Sequence, residues 1–415
     1  MIRPGRVVIV NDASFAQGGA TGLALASARH LRARGLNVTL LTGDAGDAPE
    51  LAALGIEIVA LGRQRLMASA KSKVIIDALY NRDAEKMVGD WIVANDRPDF
   101  VYHLHGWAQI LSPSVFKALK PVADRLVMSA HDFFLVCPNG AYAFLKSGAL
   151  CTLTPMSLSC VTANCDRRNY GHKLWRVARQ AVRQAVFDFG RFSPPVLAIH
   201  ESMRPYLARG GIQPSAIRTV PNPVHPFRAE RIQAEQNAEF VFIGRLEDGK
   251  GPDLAAAAAR RAGVTLRIIG DGPMRPMLEQ TYPEVLFSGR RSWEEIGPLV
   301  ARARALVMPS RYPEPYGLVA AEALWSGLPV IAAETAFLAH DIVAHDAGLA
   351  CDPRDEQAFA DALTRLGDDE VVHRMSINAF EKTRGIGQTF DAWIDDLIAN
   401  YAERLDRLQV ARVAS

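Results

Sequence analysis

The chain has 415 residues, 49% of them hydrophobic, with 47 Lys and Arg against 45 Asp and Glu. That length and apolar content suit two domains with sizeable cores, and a formal net charge of +2 argues against a general nucleic-acid binder, which would carry a basic excess. No apolar run is long enough to span a membrane, Met1 to Arg6 leads into a strand without a signal-peptide pattern, so a cytoplasmic location is expected, and five cysteines are too few for a disulfide scaffold.

The first predicted element is the buried-strand run Val7 to Val10. A turn containing Gly18, Gly19 and Gly22 follows, then a helical pattern through Leu23, Leu25, Ala26 and Leu31, and a second strand, Val38 to Leu41. This is a βαβ unit whose glycine-rich first turn lets a ligand approach the backbone closely. The glycine spacing does not match the dinucleotide fingerprint. Ile56 to Leu61 reads as a strand, 63–73 as a polar, basic, mobile loop near an acceptor, and 74–94 as helical. Pro98 to Gly106 and Arg125 to Asp132 are two further strands. They end in His103, His105 and His131, at the edge where parallel sheets bind ligands.

The loop-rich stretch 133–165 holds Cys137, Cys151, Cys160 and Cys165. Four cysteines could ligate a structural zinc, although no Cys-x-x-Cys pair is present. The alternative is four reduced, partly buried thiols. In Asp166 to Phe192, Leu174, Ala178, Ala181, Val182 and Ala185 fall on one helical face. Lys173, Arg176, Arg179 and Arg183 lie outside it, as a solvated cationic side that could touch anionic lipid. Pro194 to His200 is a short strand, and the proline-rich Val220 to Pro226 with the polar 228–237 reads as a linker.

A second αβ segment begins at Glu239 to Gly244, with Arg245 and Lys250 five apart in its first turn. Such a pair can clamp a diphosphate. Strands follow at 264–269, leading to a turn with Gly272, and at 285–289, leading to Arg290. The strand Ala305 to Met308 is stopped by Pro309 and Pro313, and a helix runs from Gly317 to Gly327. Glu314 sits in the loop and Glu322 one turn into the helix. The N–H groups of Tyr316, Gly317 and Leu318 form a helix start that suits an anion. Strands at 330–333 and 348–353 and helices near 356–366 and 390–408 complete the pattern.

Glu314-Pro-Tyr316-Gly317-Leu318-Val319-Ala-Ala-Glu322-Ala resembles the Glu-x-Phe-Gly-Leu-x-x-x-Glu-Ala signature of family 4 retaining glycosyltransferases, with Tyr316 in place of Phe. Gly-Arg245-Leu to Lys250-Gly and the His131-Asp132 pair resemble further motifs of that family. The resemblance implies an α/β fold of two Rossmann-like domains facing across a cleft (GT-B), with the C-terminal helix crossing back to the first domain. The expected divisions are 1–225 for the acceptor, with the cysteine-containing insertion 133–165, 226–388 for the nucleotide sugar, and 389–415 for the returning helix. It implies Glu314, Arg245, Lys250 and His131 as catalytic residues. Gly18, Gly19, Gly272, Arg290, Tyr316, Gly317, Leu318, Val319 and Glu322 are the implied substrate-binding set, with Glu322 on the ribose.

The expected reaction moves a sugar, with retention, from a nucleoside-diphosphate sugar to a glycan or lipid-linked acceptor, in surface polysaccharide synthesis, without a cofactor. No Asp-x-Asp metal motif occurs. The family's common Gly-Gly-x-x-Glu is replaced here by Ala336-Phe-Leu-Ala-His-Asp, so the resemblance implies nothing about which sugar is recognised. The alternatives are a sugar-nucleotide-binding protein without chemistry, and a phosphorylase or epimerase on the same fold.

Overall fold

A computed structural model describes residues 2–16, 18–63 and 77–413. The loop expected at 63–73, apart from Arg63, and the start of the expected 74–94 helix lie outside the described residues. The described chain forms two compact units. One comprises residues up to Tyr142, Thr152–Val220 and Phe390 onward; the other comprises Ala143–Cys151 and Pro221–Thr389.

The first unit is built on seven parallel strands: β1 (Arg6–Asn11), β2 (Asn37–Thr42), β3 (Glu57–Ala60), β4 (Phe100–Leu104), β5 (Leu126–Ala130), β6 (Val196–Ala198) and β7 (Ile217–Thr219). Their order is β3-β2-β1-β4-β5-β6-β7. Parallel sheets bury both faces, so their strands read as continuous apolar runs; Val7, Val8, Ile9 and Val10 are all fully buried. The chain begins at β1, runs outward through β2 and β3, and returns on the other side of β1 at β4. A reversal of this kind opens a crevice at the carboxyl ends of the two strands. The three-residue β7 is too short to show a period and is not legible in the sequence.

The helix Phe390–Val413 belongs to this unit, as expected of a helix that crosses back. Arg34 pairs with Asp391 at 2.9 Å and with Asp395. Arg218 grips both oxygens of Glu403 at 2.6 and 2.7 Å. Tyr401 Oη meets His103 Nδ1 at 2.6 Å.

The second unit repeats the plan with β8 (Glu239–Ile243), β9 (Leu266–Ile269), β10 (Leu286–Gly289), β11 (Ala303–Met308), β12 (Val330–Ala333) and β13 (Gly348–Cys351), in the order β10-β9-β8-β11-β12-β13. The reversal here falls between β8 and β11. Both Rossmann-like halves are therefore present. The expected insertion 133–165 is divided: Ala143–Cys151, closed by an antiparallel bridge between Ala143 and Leu150, groups with the second unit. Arg354, which donates to the carbonyl of Ser147, holds it there.

Candidate active site

The loops that leave β8 and β11 meet at the reversal of the second sheet. Arg311 N donates to Gly249 O at 2.9 Å, and the Arg311 guanidinium clasps Asp253, with Nη1 to Oδ1 at 2.8 Å. Gly251 has φ +67, and a Cβ there would fall 2.2 Å from Pro309 O. Only glycine combines that left-handed backbone with so close an approach.

This stapling sets Lys250 against Glu314. Nζ lies 2.8 and 2.7 Å from the two carboxylate oxygens, and Ser310 Oγ donates to Oε2 at 3.0 Å. The Lys250 and Glu314 side chains are 26% and 14% exposed. Burial works against the charge on Lys250, but Glu314 and Tyr312 outweigh it and raise its pKa. The result is a charged ammonium beside a carboxylate in the crevice of an α/β sheet.

The helix Leu318–Trp325 starts at Gly317, whose φ of +74 breaks the incoming chain. It has no side-chain cap and no acidic residue in its first turn. Helix geometry leaves the N–H groups of Leu318 and Val319 without intrahelical partners, and the positive dipole end faces the same way. Glu322 stands one turn in. Burial pushes its carboxyl well above the ordinary range, and among the described residues no hydrogen bond reaches that carboxyl. Tyr316 is 2% exposed, and its hydroxyl donates to Ile386 O at 3.0 Å. Its side chain therefore anchors the loop, and only its backbone is left to meet a ligand.

The remaining expected residues are less convergent. Arg245 is exposed and paired with Glu247 at 2.8 Å, so it does not join Lys250 in the ligand-free protein. Gly272 packs on the loop after β8, where an added Cβ would fall 2.6 Å from Leu246 O. Arg290 is exposed just past β10. The sequence gives no role to Ser310 or Tyr312, although both touch the Lys250–Glu314 pair. Their signal is their place in the loop itself.

In the first unit a cavity of about 70 Å³ lies at the carboxyl ends of β1, β4 and β5. Its lining includes Asp12, Thr21, His105, Trp107, His131 and Asp132. The helix Gly19–Ala33, whose first turn supplies Thr21, is capped by Gly18, where a Cβ would meet nothing within 4 Å. The protein's own packing does not demand that glycine.

Three histidines form a relay into this cavity. His103 Nε2 meets Ser129 Oγ at 2.9 Å, His103 Nδ1 meets His105 Nε2 at 3.2 Å, and His105 Nδ1 meets His131 Nε2 at 3.0 Å. His131 Nδ1 is buried without a partner. Burial pulls His131 down to about 4 and His103 to about 3, so both rings are neutral near pH 7. Asp12 accepts three backbone N–H bonds, from Gln109, Ile110 and Leu111, at 2.8 to 2.9 Å. Burial raises Asp132 to about 6.

The expected cationic face is turned the other way. In the helix Tyr170–Val186, Lys173, Arg179 and Arg183 are buried, at 1%, 5% and 2% exposure, whereas Leu174, Ala178, Ala181 and Ala185 are exposed. Each cation has an internal partner. Arg179 donates to Ala108 O at 2.9 Å and stacks its guanidinium on Trp107, Phe134 and Trp175. Arg183 donates to Phe187 O at 3.2 Å. Arg176 pairs with Asp166 at 2.7 Å. The expectation that these four meet anionic lipid is corrected accordingly.

The zinc expectation also lacks a geometry. No disulfide joins any of the five cysteines, and among the described residues no group of three His, Cys, Asp or Glu is arranged to hold a metal. No described helix is long and apolar enough to cross a membrane.

Residues 17–228 match the model of Glycosyltransferase Family 4, and residues 226–382 match that of Glycosyl transferases group 1. Among curated proteins, the chain is 35% identical over 158 residues to a glycogen synthase of Mycobacterium tuberculosis, covering 35% of this chain and 38% of that protein. It is 37% identical over 162 residues to a D-inositol 3-phosphate glycosyltransferase of Corynebacterium glutamicum, covering 35% and 38%. These matches span under two fifths of each relative's length. Among solved structures, sucrose-phosphate synthase from Thermosynechococcus elongatus is similar at TM-score 0.69, with 18% identity over 98% of this chain and 99% of that one. Anabaena HepE in complex with UDP is similar at TM-score 0.66, with 16% identity over 96% and 100%. WaaG, a glycosyltransferase involved in lipopolysaccharide biosynthesis, is similar at TM-score 0.64, with 19% identity over 94% and 98%.

Proposed function

The chain belongs to glycosyltransferase family 4, and from that premise we propose that it transfers a sugar from a nucleoside-diphosphate sugar to a hydroxyl of a glycan or lipid-linked acceptor, with retention and without a metal. The observation that carries this reading is the Lys250–Glu314 pair at the β8/β11 reversal, with the unpartnered carboxyl of Glu322 in the helix that follows Glu314. An incoming diphosphate draws Lys250 away from Glu314, with the first-turn N–H groups of Leu318 and Val319 as further donors. Arg245 swings from Glu247 onto the same leaving group. Glu314, released, faces the sugar hydroxyls and the positive charge that develops on the anomeric carbon. Glu322 takes the ribose hydroxyls. A donor phosphate oxygen accepts the acceptor's proton. Gly272 and Arg290 line the nucleobase side, and Gly18, Gly19 and His131 serve the acceptor.

We place the reaction in surface polysaccharide assembly, a setting supported by the likeness to WaaG. The membrane contact in this proposal runs through the exposed apolar side of the helix Tyr170–Val186, at the inner face of the cytoplasmic membrane. A binding screen over UDP-, GDP- and ADP-sugars, followed by turnover with the sugar that binds, tests the proposal. Binding without transfer or hydrolysis would favour a sugar-nucleotide-binding protein. Phosphate-dependent release of a sugar would favour a phosphorylase.

A further inference from the structure

Lys173 is 1% exposed, and Cys160 and Cys165 are each 6% exposed. Lys173 Nζ lies 3.3 Å from Cys165 Sγ and 3.6 Å from Cys160 Sγ. Among the described residues it has no carboxylate partner; Asp166, near it in sequence, is engaged by Arg176. A buried ammonium needs partners for its charge, and the two sulfurs are the groups that face this one.

Cys165 is the better placed of the two sulfurs. It also faces Asn139 Nδ2 at 3.2 Å, so two N–H donors converge on one sulfur. The other end of the same amide, Asn139 Oδ1, accepts from Cys137 Sγ at 3.1 Å, which keeps Cys137 a thiol. Burial pushes that thiol up to about 11. For Lys173, burial works to lower its pKa, but the two facing sulfurs outweigh burial and raise it. One amide and one lysine thus divide three thiols into a nucleophile, a neighbour and a bystander.

We propose that Cys165, Cys160 and Lys173 form an oxidative modification site at which a peroxide converts the two thiols to a disulfide. The Cys165 thiolate attacks one oxygen of hydrogen peroxide, and the O–O bond breaks. The departing hydroxide takes a proton from the Lys173 ammonium, leaving water, a Cys165 sulfenic acid and a neutral amine. Cys160 then attacks the sulfenic sulfur; its proton leaves with the hydroxyl as a second water, and the S–S bond forms. Two thiols and one peroxide become one disulfide and two waters. The buried site is neutral before, as an ion pair, and after, as amine and disulfide, so no uncompensated charge is left inside. None of these three side chains has a part in the sugar-transfer roles above. Lys173 shares the buried face of its helix with Arg179, whose guanidinium stacks on Trp107 and Phe134 in the lining of the first unit's cavity.

The test uses the full chain, treated with hydrogen peroxide, then blocked, digested and mapped by mass spectrometry. The expected product is a loss of two hydrogens linking Cys160 to Cys165, with Cys137 and Cys351 still reduced. Cys160→Ser should leave a Cys165 sulfenic acid that dimedone traps. Lys173→Met should slow Cys165 oxidation about tenfold or more while leaving the Cys351 rate unchanged. Should that variant fail to fold, the wild-type rates decide: Cys165 should be oxidised about tenfold or more faster than Cys351. Oxidation of Cys165 no faster than that of Cys351, a disulfide that uses Cys137, or stoichiometric zinc lost in Cys165→Ser would each overturn the proposal.

Discussion

Lys250 Nζ sits 2.8 and 2.7 Å from the two carboxylate oxygens of Glu314, a residue 64 positions later in the chain. The ligand-free protein therefore holds its proposed phosphate-binding cation on its own proposed sugar-binding carboxylate. Glu314→Gln leaves Lys250 without a counter-ion, so a free nucleoside diphosphate should bind at least as tightly as to wild type. Turnover should nevertheless fall on the order of a hundredfold, because the lost contact stabilises charge in the transition state. Calorimetry and steady-state kinetics on the same variant read the two effects. Affinity and kcat falling together would remove the proposed division of labour.

Glu322 differs because burial raises its pKa well above that of an ordinary carboxyl. Burial therefore favours the protonated form of that carboxyl in the free protein. Ribose hydroxyls donate to it and favour the carboxylate, so nucleotide binding should release a proton and strengthen as pH rises, until the free carboxyl ionises. Calorimetry in two buffers of different ionisation enthalpy measures the proton. Glu322→Gln should abolish the release and weaken binding by roughly 1–3 kcal/mol. Equal proton release in the variant would show that another group is responsible.

Turnover should survive EDTA. Lys250, Arg245 and a helix N-terminus together supply the positive field that a leaving diphosphate requires. Activity lost to chelation and restored by magnesium or manganese would contradict that account.

Asp132 gives the first unit a pH signature. Burial raises its carboxyl to about 6 from an unperturbed value of 3.8. Between those values the native state holds a proton that the unfolded chain has lost, so the contribution of Asp132 to stability should decline as pH rises from about 4 to above 6, against the opposite contribution of His103 and His131, whose neutral forms burial favours. The shift corresponds to roughly 3 kcal/mol at most; partial exposure of the side chain reduces it to about 1–2 kcal/mol. Denaturant melts of wild type and Asp132→Asn at pH 4.5 and 7.5 should show the wild type losing stability relative to the variant at the higher pH. The comparison between pH values matters more than either alone, because Asn also removes a charge facing Arg179.

The orientation of the helix Tyr170–Val186 changes what membrane binding should look like. Lys173, Arg179 and Arg183 are buried and Arg176 is paired with Asp166, so vesicle binding through this helix should be as strong at high salt as at low. It should weaken on Leu174→Ser or Ala178→Asp and be unaffected by a change from anionic to neutral lipid. Strong dependence on anionic lipid would point to a different surface.

The sequence by itself determined the two αβ halves and most of their strands, because buried parallel strands are continuous apolar runs bounded by glycine and proline. Val330–Ala333 is observed with the bounds expected of it. It also placed Lys250 and Glu314 in the loops after two such strands, since those loops follow directly from where each strand stops.

Only the tertiary structure decided which groups meet. The strand order that makes β8 and β11 neighbours brings Lys250 to Glu314, and it leaves Arg245 on Glu247 instead. Tyr316 turned inward because the carbonyl of Ile386, far along the chain, offers its hydroxyl a partner. The helix Tyr170–Val186 shows the limit most clearly. Its period separated an apolar from a cationic face but could not say which one is buried. Transfer energy alone favours burying the apolar side. Carbonyl oxygens, aromatic faces and thiols contributed by residues 107–108, 134, 160, 165, 187 and 189 reversed that choice. A buried charge is tolerated only where such partners converge, and their convergence is a property of the folded chain.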